Sequence, residues 1–290
     1  MSIYNKIRKN LQQGTLLKAG YKALSGRLIK WVKYHNVFYP FDYERVMTRK
    51  VQQTIPLINR DHIKMGNYYI DRRLPLTEKS IVYSLGVWTN IEFDLAITKA
   101  HCCPVYMYDP TPISIEFMEE KAKENTLLRF FPWGVWTEDT TLKFYLPPNG
   151  SSASAVNGQN GVHFEAECKT IANLMAYNGH QHIDVLKADI EGAALPIIEQ
   201  LIETEIYPTQ IVVEFERPIH DLKGNIDFFH RLIKLRERLA ALGYEEFRLP
   251  RSAAKYFSFD LLFSRIHKNT AAKERTHKHK SHEKAESSLE

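Results

Sequence analysis

The stretch IDVLKADIEGAALPIIEQLIE, from Ile183 to Glu203, is the part of the chain that decides the fold. It begins as a short apolar run of strand type and continues with apolar residues at helical spacing. Polar residues stand at the junction between the two. Because alternate side chains of a strand share a face, Lys187, Asp189 and Glu191 are expected to point the same way.

Two interpretations of this polar cluster are open. A lysine among apolar neighbours is costly to bury, so Lys187 and Asp189 could form a structural ion pair, with Glu191 attracted to the positive end of the helix. Alternatively, the three side chains bind a polar ligand. Ligands of open α/β sheets bind at the carboxyl ends of the strands, where this cluster is predicted to lie. Its position therefore favours ligand binding.

Strand-like and helical segments alternate on both sides of this stretch. The predicted strands cover residues 81–87, 104–110, 183–189, 209–216, 244–250 and 256–265, and the predicted helices cover residues 91–100, 113–125, 167–179, 191–203 and 225–243. This alternation predicts an α/β fold, with a mostly parallel sheet and helices on both of its faces. The last two strands are too close for a helical crossover, so we expect them to be antiparallel. Residues 128–136 and 141–147 flank a turn and predict a β-hairpin.

The chain is predicted to have three parts. Residues 1–45 form a basic, amphipathic helical extension, since apolar residues recur at helical spacing and no acid precedes Asp42. Contact of residues 1–35 with an anionic membrane surface is one interpretation, and packing on the domain is the other. Residues 46–266 form the α/β domain. Residues 267–290, rich in Lys and His, are expected to be a disordered tail.

Composition limits the class of protein. The 290 residues are 44% apolar, which is enough for a folded core. No run reaches the ~20 apolar residues of a membrane span, and we expect no secretory signal.

The three cysteines lack metal-ligand spacing, so we predict no metal site and a cytoplasmic protein, with membrane association left open. The charge of +5 is concentrated at the two ends, which predicts that the core does not bind nucleic acid.

A glycine loop follows the first predicted strand, in LGVWTN at residues 85–90. Gly86 permits a tight turn into the helix, but Trp88 and Ile91 stand where a dinucleotide fingerprint has further glycines. Those glycines let a pyrophosphate approach the backbone. The loop, with Trp88 and Asn90, therefore favours a nucleoside ligand without phosphates, and an ordinary strand–helix turn is the alternative.

A carboxylate ends the second predicted strand, in YMYDP. Asp109 at this place can accept hydrogen bonds from both hydroxyls of a ribose, and Pro110 ends the strand and fixes the turn. The alternative is that Asp109 caps the helix that begins near Ile113. Its position after the glycine loop favours ribose binding.

Further candidates lie near the ends of other strands. In VVEFERPIH, Glu214 and Glu216 end a strand, and His220 beyond them could take a proton from a hydroxyl or be an exposed loop residue. Trp136 could form a wall beside a purine ring, or pack in the core. The Gly- and Ser-rich residues 147–161 form either a lid over the site or a surface loop.

Three segments resemble the FkbM family of S-adenosylmethionine-dependent methyltransferases: VYSLGVWTNIEFDLAI with VYMYDPTP, WGVWTEDTTLKFY, and IDVLKADIEGAALPIIEQLI with IVVEFE. The resemblance implies a class I methyltransferase (Rossmann-like) sheet of seven strands, the last one antiparallel. The first segment differs from the family's usual turn, which is more acidic and richer in glycine. The residues that bind the amino-acid end of the cofactor therefore cannot be identified from this turn.

The resemblance also implies residue roles and a reaction. S-adenosylmethionine would be bound by the loop after Gly86, by Asp109 at the ribose, by Trp136 near the adenine and by Asp189 near the methyl donor. Family members mostly methylate hydroxyls, so the predicted acceptor is a sugar, glycan or other natural product. The candidate general bases are Asp189, Glu191 and His220, and Lys187 would orient a carboxylate or bind the acceptor. The candidate substrate-binding residues are Glu214 and Glu216. The candidate cofactor-binding residues are Gly86, Trp88, Asn90, Asp109, Pro110, Trp136 and Asp189.

Two alternative functions are kept at this point. A nucleotide-dependent oxidoreductase of the NAD type would use Asp109 in the same way, but it would lack the usual glycines. A catalytically silent cofactor-binding module would use the basic N-terminal extension to join a membrane or an assembly.

Overall fold

In this computed structural model the described residues are 43–146, 162–218, 222–250 and 258–266. Residues 51–290 form one compact unit, distinct from the unit formed by the residues before Val51. The fold described below is that of the larger unit. The predicted extension up to residue 42, residues 147–161, His220 and the predicted tail lie outside the described residues. The three-part division of the chain stays a prediction.

The described helices and strands alternate for most of the chain. The helices are α1 (Tyr43–Thr54), α2 (Glu92–His101), α3 (Pro112–Glu124), α4 (Ile171–Asn178), α5 (Ala194–Glu203) and α6 (Leu222–Ala241); the strands are β1 (His62–Met65), β2 (Tyr68–Asp71), β3 (Val82–Leu85), β4 (Val105–Tyr108), β5 (Leu128–Phe131), β6 (Gly134–Val135), β7 (Thr140–Leu146), β8 (Val162–Lys169), β9 (Val185–Ala188), β10 (Gln210–Glu216), β11 (Tyr244–Arg248) and β12 (Ser258–Arg265). Among the helices described here, none is long and apolar enough to cross a bilayer.

A seven-stranded sheet in the order β11-β12-β10-β9-β3-β4-β5 forms the centre of the larger unit. From β10 to β5 all neighbours are parallel, whereas β12 is antiparallel to both β10 and β11. The α/β class, the mostly parallel sheet and the terminal antiparallel strand predicted from the sequence are therefore confirmed.

The central strands are buried on both faces. Every residue of β3, β4 and β9 is buried, and successive side chains of a strand point to opposite faces. Continuous apolar runs of this kind are typical of parallel strands that are covered on both sides. This explains why VYSL, VYMY and VLKA could be recognised as strands without an alternating pattern.

A separate three-stranded sheet corrects one prediction. Its order is β6-β8-β7, with β6 parallel to β8 and β7 antiparallel to β8. The hairpin expected between residues 128–136 and 141–147 is wrong, because β5 pairs with β4 and the partner of β7 is β8. The helix predicted over 167–179 is also shorter. It begins at Ile171, where the Thr170 side chain accepts a hydrogen bond from Asn173 N and caps it.

An unpredicted hairpin, β1–β2, packs on α2 and on the ends of β10 and β12. Its turn is Gly66-Asn67, a dipeptide that favours tight hairpins, and Gly66 has a φ of +56°. A Cβ atom at Gly66 would overlap the Glu92 backbone, so this turn lies directly against the start of α2. The hairpin thereby brings Tyr68 to the carboxyl edge of the sheet.

Candidate active site

A cavity of about 230 Å³ lies at the carboxyl edge of the seven-stranded sheet. Leu85 pairs in register with Tyr108 and Ala188, so the residues that follow β3, β4 and β9 meet at one edge. Nine residues predicted from the sequence line the cavity: Gly86, Trp88, Asn90, Asp109, Pro110, Trp136, Lys187, Asp189 and Glu191. The structure thus brings the predicted acids at 109, 189 and 191 into one cavity, while their individual roles stay predictions.

Gly86 allows the turn after β3 to pass against the end of β9. Its φ is +79°, and a Cβ atom at this position would overlap the carbonyl oxygen of Asp189. Only glycine adopts this conformation without strain and leaves room for the neighbouring backbone. Gly86 therefore fixes the distance between the two loops that carry most of the polar lining.

Two of the lining residues have a backbone conformation that is unusual for residues other than glycine. Trp88 has a φ of 50° and Glu191 a φ of 42°, and Glu191 is followed by Gly192 at 86°. Such left-handed residues cost about 1–3 kcal/mol each and cluster at functional sites. Asn90 lies two residues before α2, and its Oδ1 accepts a hydrogen bond at 3.1 Å from the N–H of Glu92, the first residue of the helix. Both left-handed residues thus line the same cavity.

Asp109 braces the glycine loop. Its Oδ2 accepts hydrogen bonds from Val87 N at 2.8 Å and Trp88 N at 2.9 Å, and its Oδ1 accepts two from Thr111, from N at 2.8 Å and from Oγ1 at 2.7 Å. A carboxylate has about four acceptor sites, so protein donors occupy all of them. A ribose hydroxyl would have to displace one of these donors, and the Thr111 hydroxyl is the one side-chain donor among them. Ribose binding by Asp109 stays a prediction.

Lys187 is 4% exposed, and its ammonium group lies at the end of β3. Its Nζ donates to Gly86 O and, at 3.4 Å, to Leu85 O, and it lies 5.7 Å from the centre of the Tyr68 ring. In the described part of the chain, the structural ion pair between Lys187 and Asp189 is not formed. Instead, the lysine binds carbonyl oxygens at the start of the glycine loop, whereas Asp109 binds two of the amides of that loop.

Tyr68 and Asp189 form a short polar contact on the cavity wall. The Tyr68 hydroxyl donates to Asp189 Oδ2 at 2.5 Å, and its ring packs edge-to-face on Phe93. A phenol that donates to a carboxylate fixes the orientation of that carboxylate. Sequence reasoning missed Tyr68, although the Gly66-Asn67 turn between two short β-type runs was the available signal.

A second pair of carboxyl groups lies beside Asp189. Glu216 hydrogen-bonds Glu191, and burial together with the charges of Glu191, Glu214 and Asp189 raises the pKa of Glu216 to about 9. At neutral pH Glu216 therefore keeps a proton, which it shares with Glu191. Glu214 and Glu216, the two predicted substrate-binding residues, are not among the described residues that line the cavity. Glu216 is linked to the cavity wall through its hydrogen bond with Glu191.

The three-stranded sheet supplies an apolar wall. Val135, Trp136, Leu142 and Phe144 line the cavity, and Phe144 stacks on Phe164 of β8 with ring centres 5.3 Å apart. Trp136 N donates to Lys169 O at 3.0 Å, which holds the tryptophan backbone in this sheet. Leu142 and Phe144 were not predicted, because the strand that carries them was assigned to the wrong partner.

Residues 82–246 match the methyltransferase FkbM domain. This chain belongs to the FkbM methyltransferase family. The match covers β3 to β11 and thus the glycine loop, Asp109 and the 183–203 stretch. It assigns methyl transfer as the activity class and S-adenosylmethionine as the cofactor, in place of the NAD-type alternative. Comparison with curated proteins gave no match.

Solved structures with similar folds are distant from this methyltransferase. A precorrin-6y C5,15-methyltransferase from Geobacter metallireducens has 10% identity over 67% of this chain and 85% of its own, with a TM-score of 0.34. A fibrillarin pre-rRNA processing protein from Methanococcus jannaschii has 11% identity over 67% and 70%, with a TM-score of 0.39. A ribosomal protein L11 methylase from Lactobacillus delbrueckii has 13% identity over 77% of both chains, with a TM-score of 0.34.

The lining of the methyltransferase cavity fits the cofactor. The apolar wall around Trp136 suits a purine ring, and no phosphate has to be bound. The carboxyl groups of Asp94, Asp189 and Glu191 complement the two positive charges of the cofactor, its sulfonium and its ammonium. The purine would therefore be held at the three-stranded sheet, and the charged end would lie between β3 and β9.

Proposed function

We propose that this protein transfers the methyl group to a hydroxyl of a sugar, a glycan or a related natural product. The observation that carries the proposal is the Asp189 carboxylate, held by Tyr68 on the wall of the cofactor cavity. A hydroxyl loses its proton when it is methylated, so an O-methyltransferase needs a proton acceptor beside the methyl donor. Bound S-adenosylmethionine supplies a methyl group that its sulfonium already activates.

In this proposal Asp189 is the general base. In the described part of the chain Tyr68 is its one hydrogen-bond donor, and that donor uses Oδ2. Oδ1 would accept the proton of the acceptor hydroxyl as the new oxygen–carbon bond forms. A positioned base typically adds ~100- to 10,000-fold to a rate, and alignment of the reacting groups adds more.

The neighbouring carboxyl pair supports an acceptor that carries several hydroxyls. Glu216 is protonated at neutral pH, so Glu191 has a fixed hydrogen-bond donor and stays available as an acceptor on the cavity wall. Two carboxylates, Asp189 and Glu191, then face the same space. Neighbouring acceptors of this kind suit the adjacent hydroxyls of a sugar. Lys187 contributes indirectly, since its hydrogen bonds to the end of β3 hold the glycine loop.

Transfer of label tests the proposal. The full chain is incubated with methyl-labelled S-adenosylmethionine and fractionated small molecules and glycans from cells, and labelled products are analysed by mass spectrometry. We expect methyl ethers from the wild type and loss of transfer in Asp189→Asn, with S-adenosylhomocysteine binding retained by the variant. Products methylated only on nitrogen or carbon would contradict the proposal. Tight cofactor binding with no transfer to any fraction would favour the silent module instead.

Membrane association is a separate expectation about residues 1–35, which lie outside the described residues. Flotation with anionic vesicles compares the full chain with a variant that lacks residues 1–40. We expect binding of the full chain alone, because its basic, amphipathic segment complements an anionic surface. Equal flotation of both proteins, or of neither, would count against this expectation.

A further inference from the structure

Asp94 is a buried acid in the first turn of α2, and it lines the cavity next to the glycine loop. The side chain is 1% exposed, and it lies on the face of the helix that carries Ile97 into the core. A carboxyl group on a buried helical face is unusual, since acids are rarely buried without a partner. Asp94 has no role in the predicted binding of the nucleoside part of the cofactor, and it is not the proposed general base.

The Asp94 carboxyl group is incompletely satisfied. Within the described residues, its Oδ1 has no hydrogen-bond partner of normal geometry, and the same is true of the buried Ser84 Oγ on β3. Burial raises the pKa of Asp94, and the charge of Lys187 and the Ser84 hydroxyl lower it in part. An unsatisfied buried carboxylate destabilises the fold, so a residue of this kind points to a ligand that completes its hydrogen bonds.

The chemistry of the cofactor decides which of its groups meets Asp94. The sulfonium has no N–H or O–H donor, whereas the α-ammonium has three donors and a full charge. Of the acids on the cavity wall, Asp189 already has Tyr68 as a donor and Glu191 already has Glu216. Among the lining acids, and counting donors from the described residues, Asp94 is the acid whose buried oxygen lacks a donor, so the ammonium fits it best.

We propose that Asp94 binds the α-ammonium group of S-adenosylmethionine and so holds the amino-acid end of the cofactor. The inference rests on the cofactor of the family and not on the acceptor proposed above. Asp94, on α2, would then supply the acidic contact to the cofactor that the turn VYSLGVWTN does not provide. Asp94 lies eight residues after Gly86, on the helix that directly follows the glycine loop.

The test compares two ligands in matched variants by calorimetry or fluorescence. The ligands are S-adenosylhomocysteine and its analogue in which hydrogen replaces the α-amino group. The variants are Asp94→Asn, Asp94→Ala as a second replacement, and Asp184→Asn as a control, since Asp184 precedes β9 at the opposite edge of the sheet. Urea unfolding of each variant establishes that it is folded.

We expect Asp94→Asn to weaken S-adenosylhomocysteine binding about tenfold or more, as for loss of a charge-assisted hydrogen bond. The desamino analogue should bind the wild type and the variant equally, and Asp184→Asn should bind both ligands as the wild type does. Equal weakening of both ligands would mean that Asp94 only maintains the fold and would overturn the proposal. Unchanged S-adenosylhomocysteine binding would overturn it too. A wild type that binds neither ligand would overturn the cofactor assignment as well.

Discussion

Replacing Asp109 by alanine tests whether this residue braces the loop or binds the cofactor. The carboxylate is 5% exposed and accepts hydrogen bonds from the backbone of Val87 and Trp88 and from Thr111. If bracing is its main role, the substitution destabilises the protein even without a ligand. If the ribose is its main partner, stability changes little and only cofactor binding falls.

The hydrogen bonds give the expected magnitude. Alanine leaves the amides of Val87 and Trp88 without an acceptor, and each buried unsatisfied group costs about 1–3 kcal/mol. The Val87 amide is in a buried bond and the Trp88 amide in a partly buried one, so water recovers part of the second loss. We expect the free energy of unfolding to fall by about 3 kcal/mol, a large part of the roughly 5–15 kcal/mol of a typical domain.

Urea unfolding in the absence of ligand measures this loss, and calorimetry with S-adenosylhomocysteine measures binding. Asp139→Ala is the matched control, because Asp139 accepts one backbone bond, from Thr170 N at 2.8 Å, at an exposed site. We expect it to cost about 1 kcal/mol. An Asp109→Ala protein as stable as the wild type would refute the bracing argument. A 2′-deoxy analogue of the ligand then tests the ribose, since it should bind the wild type more weakly only if that hydroxyl is held.

Three further changes test other parts of the site. Because folded Glu216 keeps its proton up to a pKa of about 9 and the unfolded chain releases it near 4.5, stability is lost as pH rises between these values. Glu216→Gln should remove this loss, about 1.4 kcal/mol per pH unit inside the window, as measured by thermal unfolding from pH 5 to pH 8. Tyr68→Phe removes the bond to Asp189 and should lower kcat more than it raises KM, once an acceptor is found. Gly86→Ala should cost about 2 kcal/mol or more in urea unfolding and abolish S-adenosylhomocysteine binding, because its Cβ would overlap the Asp189 carbonyl.

Two of these changes, at Tyr68 and at Gly86, have a control in the same chain. Tyr83→Phe removes another buried hydroxyl, which hydrogen-bonds Leu174 O, and should leave kcat unchanged. Gly179→Ala introduces the same left-handed strain without any neighbour within 4 Å, so it should cost only about 1 kcal/mol. Equal losses at Gly86 and Gly179, equal effects at Tyr68 and Tyr83, or a Glu216→Gln protein with the pH dependence of the wild type would each contradict the reasoning.

Much of the fold could be predicted because the central elements are coded locally. The runs at 82–85, 105–108 and 185–188 are short and, apart from Ser84 and Lys187, apolar, and each is followed by a turn residue and a helical pattern. Parallel strands place their carboxyl ends together, so the sequence alone predicts that Gly86, Asp109 and Asp189 share one cavity.

The rest of the site depends on contacts between segments that are far apart in the sequence. Tyr68 reaches Asp189 across 121 positions, and β7 pairs with a strand that follows residues 147–161. Neither pairing leaves a periodic signal in the chain, because tertiary packing selects the partner. The same holds for protonation, since the charge state of Glu216 and the unsatisfied oxygen of Asp94 depend on which groups the fold buries beside them. The sequence by itself therefore determined the strands and helices of the central sheet and the edge of that sheet where the cofactor is predicted to bind, through local periodicity. Only the tertiary structure decided which side chains share a proton or lack a donor there, because burial and distance exist only once the chain has folded.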